Sequence, residues 1–201
     1  MRKRYSIEKR ISQSGCKVYL PGQLLAGKQI SRLAFGSRAA DAEFIPHRKN
    51  KILVDAPLFE QLSIPDEDLL LHAFIDEDTL FLGPLIGVLT SGFTSYPLKP
   101  VGERSHFFAK LLAVNKTVGA LPFLFGEEHV DWDSGLIKGW IYTHDTWKVT
   151  ELPLPNVVYD RLPNRRAEKL AEKRQMKERL LSDYLIPVSY THLTLPTITA
   201  V

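Results

Sequence analysis

Residues 82–91 read Leu82-Gly83-Pro84-Leu85-Ile86-Gly87-Val88-Leu89-Thr90-Ser91. From Pro84 to Leu89 the run is almost continuously apolar, with no alternation of polar side chains. That is the pattern of a strand covered on both faces. Thr90-Ser91-Gly92 closes it. After a long loop, residues 104–116 place Phe107, Phe108, Leu111, Leu112 and Asn115 at helical spacing. Phe108, Leu111 and Leu112 form an apolar stripe, and Gly119 is a suitable stop. Ala120 to Phe125 is a second apolar run. Strand, helix, strand in that order predicts a βαβ unit, with parallel neighbours and a right-handed crossover.

On the C-terminal side, Leu136 to Tyr142 and Trp147 to Leu152 flank Thr143-His144-Asp145-Thr146, a hairpin with a four-residue turn. Pro153 and Pro155 enforce an extended link. Val157-Val158-Tyr159 is a third buried strand, ending at Asp160-Arg161. Asn164 can cap a helix running to about Tyr184, with Ala167, Leu170, Ala171, Met176, Leu180, Leu181 and Tyr184 as its apolar positions. On the N-terminal side, residues 17–83 read as short strands between turns. Lys17 to Leu20 and Ile30 to Phe35 are strands. Ile52-Leu53-Val54 leads to Asp55, a cap for a short helix from Pro57 to Leu62. Leu69 to Ile75 and Thr79 to Leu82 flank the polar turn Asp76-Glu77-Asp78. Val18-Tyr19-Leu20-Pro21 is loosely echoed by Val54-Asp55-Ala56-Pro57. The echo fits a small barrel made of two similar halves. The expected class is α/β, or α+β overall. A small β-barrel-like domain (1–83) precedes a βαβ domain with a parallel sheet (84–187).

The formal charge is only +3, but it is unevenly distributed. Residues 1–51 hold 12 basic and 3 acidic side chains, while residues 52–98 hold 8 acids and no Lys or Arg. The two blocks read as neighbouring surfaces that attract each other. The basic block lacks the interleaved aromatics of a single-strand binder and any helix-turn-helix pattern, so nucleic acid is not the expected partner. The only cysteine, Cys16, excludes an internal disulfide and a multi-cysteine zinc site. No run reaches the length of a membrane helix, and no apolar segment of a secretory signal follows the basic start. The expected setting is the cytoplasm.

No Walker loop, G-x-G-x-x-G, H-E-x-x-H or G-x-S-x-G occurs. Glu127, Glu128, His129, Asp131 and Asp133 carry oxygen and imidazole groups of the kind that bind metals. No second His or Cys stands nearby, and the segment reads as a solvated loop. His47, His72, His106 and His144 have no companions at ligand spacing. No catalytic residue and no metal site is expected. Ligands of open α/β sheets sit beyond the carboxyl ends of the strands. That rule makes Thr90, Ser91, Asp160 and Arg161 the substrate-binding candidates. Asp160 and Arg161 can also be read as pairing with each other or capping the next helix.

Three segments together resemble the YheC/YheD family of endospore coat-associated ATP-grasp proteins. They are Leu82 to Ser91, Ile137-Lys138-Gly139-Trp140-Ile141-Tyr142, and Leu152-Pro153-Leu154-Pro155-Asn156-Val157-Val158-Tyr159-Asp160-Arg161. The resemblance implies that residues 84–187 are a pre-ATP-grasp domain and that the β-rich part is a barrel of double-psi type. It implies a parent that joins a carboxylate to an amine at the expense of ATP, with Mg neutralising the phosphates. The ATP-grasp domain is expected soon after Pro187. None of the family's ATP-binding residues falls on a position of this chain, so no cofactor is expected within it. The implied partners are the C-terminal ATP-grasp domain and spore-coat or mother-cell proteins, and the implied location is the mother cell and coat. The alternative is a non-enzymatic coat interaction module.

Val188-Ser189-Tyr190-Thr191-His192-Leu193 departs from the family. It matches one frame of a transposase-end adapter, GTC-TCT-TAT-ACA-CAT-CT. Residues 188–201 carry no Lys, Arg, Asp or Glu. They are read as a non-native tail, and the chain as an N-terminal fragment.

Overall fold

The computed structural model describes residues 3–12 and 15–162. The N-terminal half is built from β1 (Arg4–Arg10), β2 (Lys17–Pro21), α1 (Gly22–Leu25), β3 (Arg32–Phe35), β4 (Arg38–Asp41), β5 (Glu43–His47), β6 (Lys51–Asp55), α2 (Ala56–Gln61), β7 (Leu69–Asp76) and β8 (Thr79–Gly83). These strands form one eight-stranded sheet in the order β4-β3-β8-β7-β1-β6-β2-β5. At its centre β2 runs antiparallel to β6, with Val18 opposite Val54. On either side β1 runs parallel to β6, and β5 parallel to β2. Each central strand leads directly into a short helix, α1 or α2. Reversing β1-β6-β2-β5 leaves the pattern of parallel and antiparallel pairs unchanged. The echoed segments Val18–Pro21 and Val54–Pro57 fall on the two central strands, with Val18 opposite Val54.

Alternation along these strands points one face inward. Tyr5, Ile7, Val18, Leu20, Leu33, Phe35, Ile52, Val54, Leu69, Leu71, Leu80 and Leu82 share one buried cluster with Leu58, Phe59 and Leu62 of the α2 region. The sheet curls around it as an open half-barrel whose pairing path ends at β4 and β5.

The second sheet contains β9 (Leu85–Leu89), β10 (Leu121–Phe125), β11 (Val130–Asp131), β12 (Leu136–Thr143), β13 (Thr146–Pro153) and β14 (Val157–Asp160). Its order is β11-β12-β10-β9-β14, with β13 paired to β12. β9 lies parallel to both β10 and β14. Between β9 and β10 the chain forms α3 (Ser105–Leu112) and α4 (Asn115–Val118). Phe108 and Leu112 of α3 pack on Val88 and Leu124 at one face of the sheet. The other face sends Leu85, Leu89, Leu121, Phe123 and Phe125 into the half-barrel's core, so one apolar cluster runs through both sheets.

Polar contacts reinforce that junction. Arg4 donates to the carbonyls of Lys116 and Thr117 at the end of α4. The His72 amide donates to the Gly119 carbonyl (3.0 Å). Asn156 accepts from the Leu85 amide (2.9 Å). The Ser37 amide donates to the Leu154 carbonyl (2.9 Å).

The mixed sheets with few helices agree with the α+β class, and the βαβ unit, the 69–82 hairpin and the Gly119 stop (φ 69°) are present. Several local readings need correction. Among the described residues Val157–Tyr159 is an edge strand, not a buried one: it pairs only with β9, and Tyr159 is 41% exposed. The Asp55 side chain caps no helix. It turns inward, fully buried, to accept from the Lys17 amide (3.3 Å) and Arg10 (3.4 Å). The 143–146 turn has only two loop residues, His144 and Asp145, both at positive φ (48° and 56°). The helix expected over 104–116 is split at Ala113-Val114. Arg4–Arg10, Arg38–Asp41 and Glu43–His47 are strands that their charged sequences concealed. The helix read over 164–184 and the tail at 188–201 lie outside the described residues.

Candidate functional site

β9, β10 and β14 are adjacent and parallel, so their carboxyl ends open on one edge of the sheet. That edge gathers the residues named from the strand ends. Thr90 follows β9 and is 1% exposed. Its amide extends the ladder to the Phe125 carbonyl (3.0 Å). Its hydroxyl donates to the Arg161 carbonyl (3.3 Å) and accepts from Arg104 Nη1 (3.1 Å). Arg104 Nη2 also donates to the Ser91 carbonyl. Thr90 therefore joins the ends of β9 and β14 and fixes Arg104 above them. Its hydroxyl faces protein, not solvent.

Asp160 and Arg161 diverge. The Asp160 carboxylate accepts from the Leu162 amide (3.1 Å), closing a local turn. The Arg161 amide donates to the Leu89 carbonyl (2.8 Å). Its guanidinium lies over Phe107 (5.4 Å to the ring centroid) and Tyr159 (5.9 Å). Both rings are half-exposed, at 50% and 41%. Sequence reading placed neither Arg104 nor Phe107 at this edge. The available signal was positional: Arg104 immediately precedes the apolar helix that follows a strand end.

Next to them, at the end of β10, the Gly126 amide donates to His129 Nδ1 (2.9 Å). The ring meets Phe93 edge-on (4.3 Å). Burial pushes the His129 imidazole below its ordinary range. The Glu128 charge opposes that shift and the Lys138 charge adds to it. Asp131 is occupied by a turn, accepting from the Ser134 hydroxyl (2.7 Å) and from the Asp133 and Ser134 amides. These bonds hold its carboxyl below the usual range. The 127–133 segment therefore uses its polar groups to shape a loop. Among the described residues, no group of three or more His, Cys, Asp or Glu is placed to hold a metal ion. No described helix is long and apolar enough to cross a membrane.

Over 177 residues the chain is 36% identical to the endospore coat-associated protein YheD of Bacillus subtilis (strain 168). The chain belongs to the YheC/YheD family. The match covers 85% of this chain and 38% of YheD, so the chain spans well under half the length of that relative. No family model and no solved structure matches it. The strand-end edge brings together charged, aromatic and hydroxyl groups from β9, β14 and the start of α3.

Proposed function

We propose that the chain is the N-terminal, non-catalytic part of a spore-coat ATP-grasp ligase. The parent joins a carboxylate to an amine, with ATP and Mg held by its C-terminal part. The observation that carries this reading is the YheD match, which leaves most of that relative's length outside the matched region. The βαβ sheet supports it, because the strand edge beside the end of the described chain is the place where open α/β sheets bind ligands. Fold alone assigns no chemistry, so the activity must be measured on the full-length gene product. ADP release from Mg-ATP that depends on both a carboxylate and an amine, screened across amino acids and short peptides, is the expected result. ATP turnover indifferent to every acceptor would overturn the ligase reading.

The relative's coat-associated name supports a second reading, a non-enzymatic module that docks coat or mother-cell proteins. Its charged N-terminal half would then be the docking surface, and the parent would locate to the mother-cell cytoplasm and coat. Coat localisation of the full-length protein with no ATP turnover favours this second reading over the first.

A further inference from the structure

We propose that Arg161 and Arg104, held at the carboxyl ends of β9 and β14, form a binding site for a single carboxylate or phosphate group. Two independent features converge there. First, Arg161 is stacked, not paired. Its guanidinium lies over the Phe107 and Tyr159 rings. Among the described residues, no acceptor takes a hydrogen bond from its side chain. Stacking holds a guanidinium by its faces and leaves the in-plane N–H groups free to bind an anion as a fork.

Second, Arg104 is fixed by the buried Thr90 hydroxyl and the Ser91 carbonyl, which engage its two terminal nitrogens. A planar guanidinium has five N–H donors, so those two bonds do not exhaust it. The neighbouring Asp160 carboxylate accepts from the Leu162 amide.

Two cations, brought to one strand edge by β14 and the turn before α3, recognise an anionic group. The fold binds it there and performs no chemistry on it. The site stands on this geometry. The ligase reading only suggests that the anion belongs to the acid substrate.

The test uses the whole chain labelled with nitrogen-15, at constant ionic strength with chloride as the balancing anion. Inorganic phosphate and acetate are titrated separately while the arginine Nε–H resonances are followed. The expected result is a saturable shift of the Arg161 and Arg104 signals. Arg161→Gln, a change at an exposed side chain, should weaken binding by about tenfold or more, because a charge-assisted fork is lost. Arg48→Gln, on an exposed loop, should leave it unchanged. Stronger binding of phosphate marks a phosphoryl ligand, and stronger binding of acetate a carboxylate. No saturable shift with either probe, or equal affinity in Arg161→Gln, overturns the site. Anion binding without ligase turnover in the full-length protein would retire the ligase reading and keep the site. Turnover unaltered by Arg161→Gln, with no anion binding, would do the reverse.

Discussion

His129 accepts the Gly126 amide through Nδ1, which only the unprotonated nitrogen can do. Its value in the folded protein is lowered, mainly by burial. The unfolded chain therefore binds a proton at higher pH than the folded one. The stability that His129 contributes is complete above the ordinary imidazole range and is lost as pH falls through the folded value. The thermal midpoint should drop as the solution is taken from about pH 7 to about pH 5. His129→Gln, which keeps an acceptor without a titrating ring, should reduce that drop, and an unchanged pH profile would show that the ring is not responsible. Gly87 gives a steric case. A Cβ there would lie 2.7 Å from Phe125 and 2.8 Å from Pro155. Gly87→Ala should cost about 1–3 kcal/mol in denaturant titration, as overpacking of a filled core does. The apolar run around Gly87 was legible, but that the glycine makes room for Phe125 and Pro155 was not, since both arrive from distant sequence. Asp55 teaches the same lesson. The residue before a helix reads as a cap, yet Arg10 and the Lys17 amide draw its carboxylate inward.

At the scale of elements, periodicity identified β9, α3 and β10 and their parallel pairing, because a buried βαβ unit writes its burial directly into the sequence. It could not rank Val157–Tyr159. Three apolar residues look the same at an edge as in a centre, and position in the sheet decides exposure. Arg4–Arg10 was hidden for the opposite reason. Only Tyr5 and Ile7 of that strand face the core, and the intervening charges stay outside. The β12–β13 hairpin turns through His144 and Asp145 at positive φ, a geometry that Asn-Gly adopts with less strain. The double substitution His144→Asn, Asp145→Gly should raise stability by about 1 kcal/mol. A lowered denaturation midpoint would show that His144 or Asp145 makes a stabilising contact that outweighs backbone strain. The strand-end site was half legible. The rule for α/β sheets named Thr90, Ser91, Asp160 and Arg161, but the stacking of Arg161 on Phe107 needed the helix placed beside the strand.

Across the whole molecule, the two charge blocks are partly joined: Lys9 pairs with Glu60 and Arg10 with Asp55. Others of the basic block pair within it, as Lys17 with Glu43, Arg32 with Asp41 and Lys51 with Glu8. Acids of the second block reach the other sheet instead, Asp68 to Lys116 and Glu67 to Lys148. Apart from Arg10–Asp55, whose carboxylate is buried, these are surface pairs that each contribute little. The shared apolar cluster is the stronger tie, and it predicts one cooperative transition for both sheets. Trp132, Trp140 and Trp147 all lie in the second half of the chain. Their fluorescence should therefore change at the same urea concentration as far-ultraviolet circular dichroism, which reports both sheets. Separate midpoints would show that the halves unfold independently. We propose that this chain is the N-terminal part of an ATP-dependent parent whose nucleotide site lies elsewhere, and calorimetric titration of Mg-ATP into this chain and into the full-length gene product tests it. Micromolar binding to the full-length protein and none to this chain is the expected result. Micromolar binding to this chain alone, or none to the full-length protein, would contradict it.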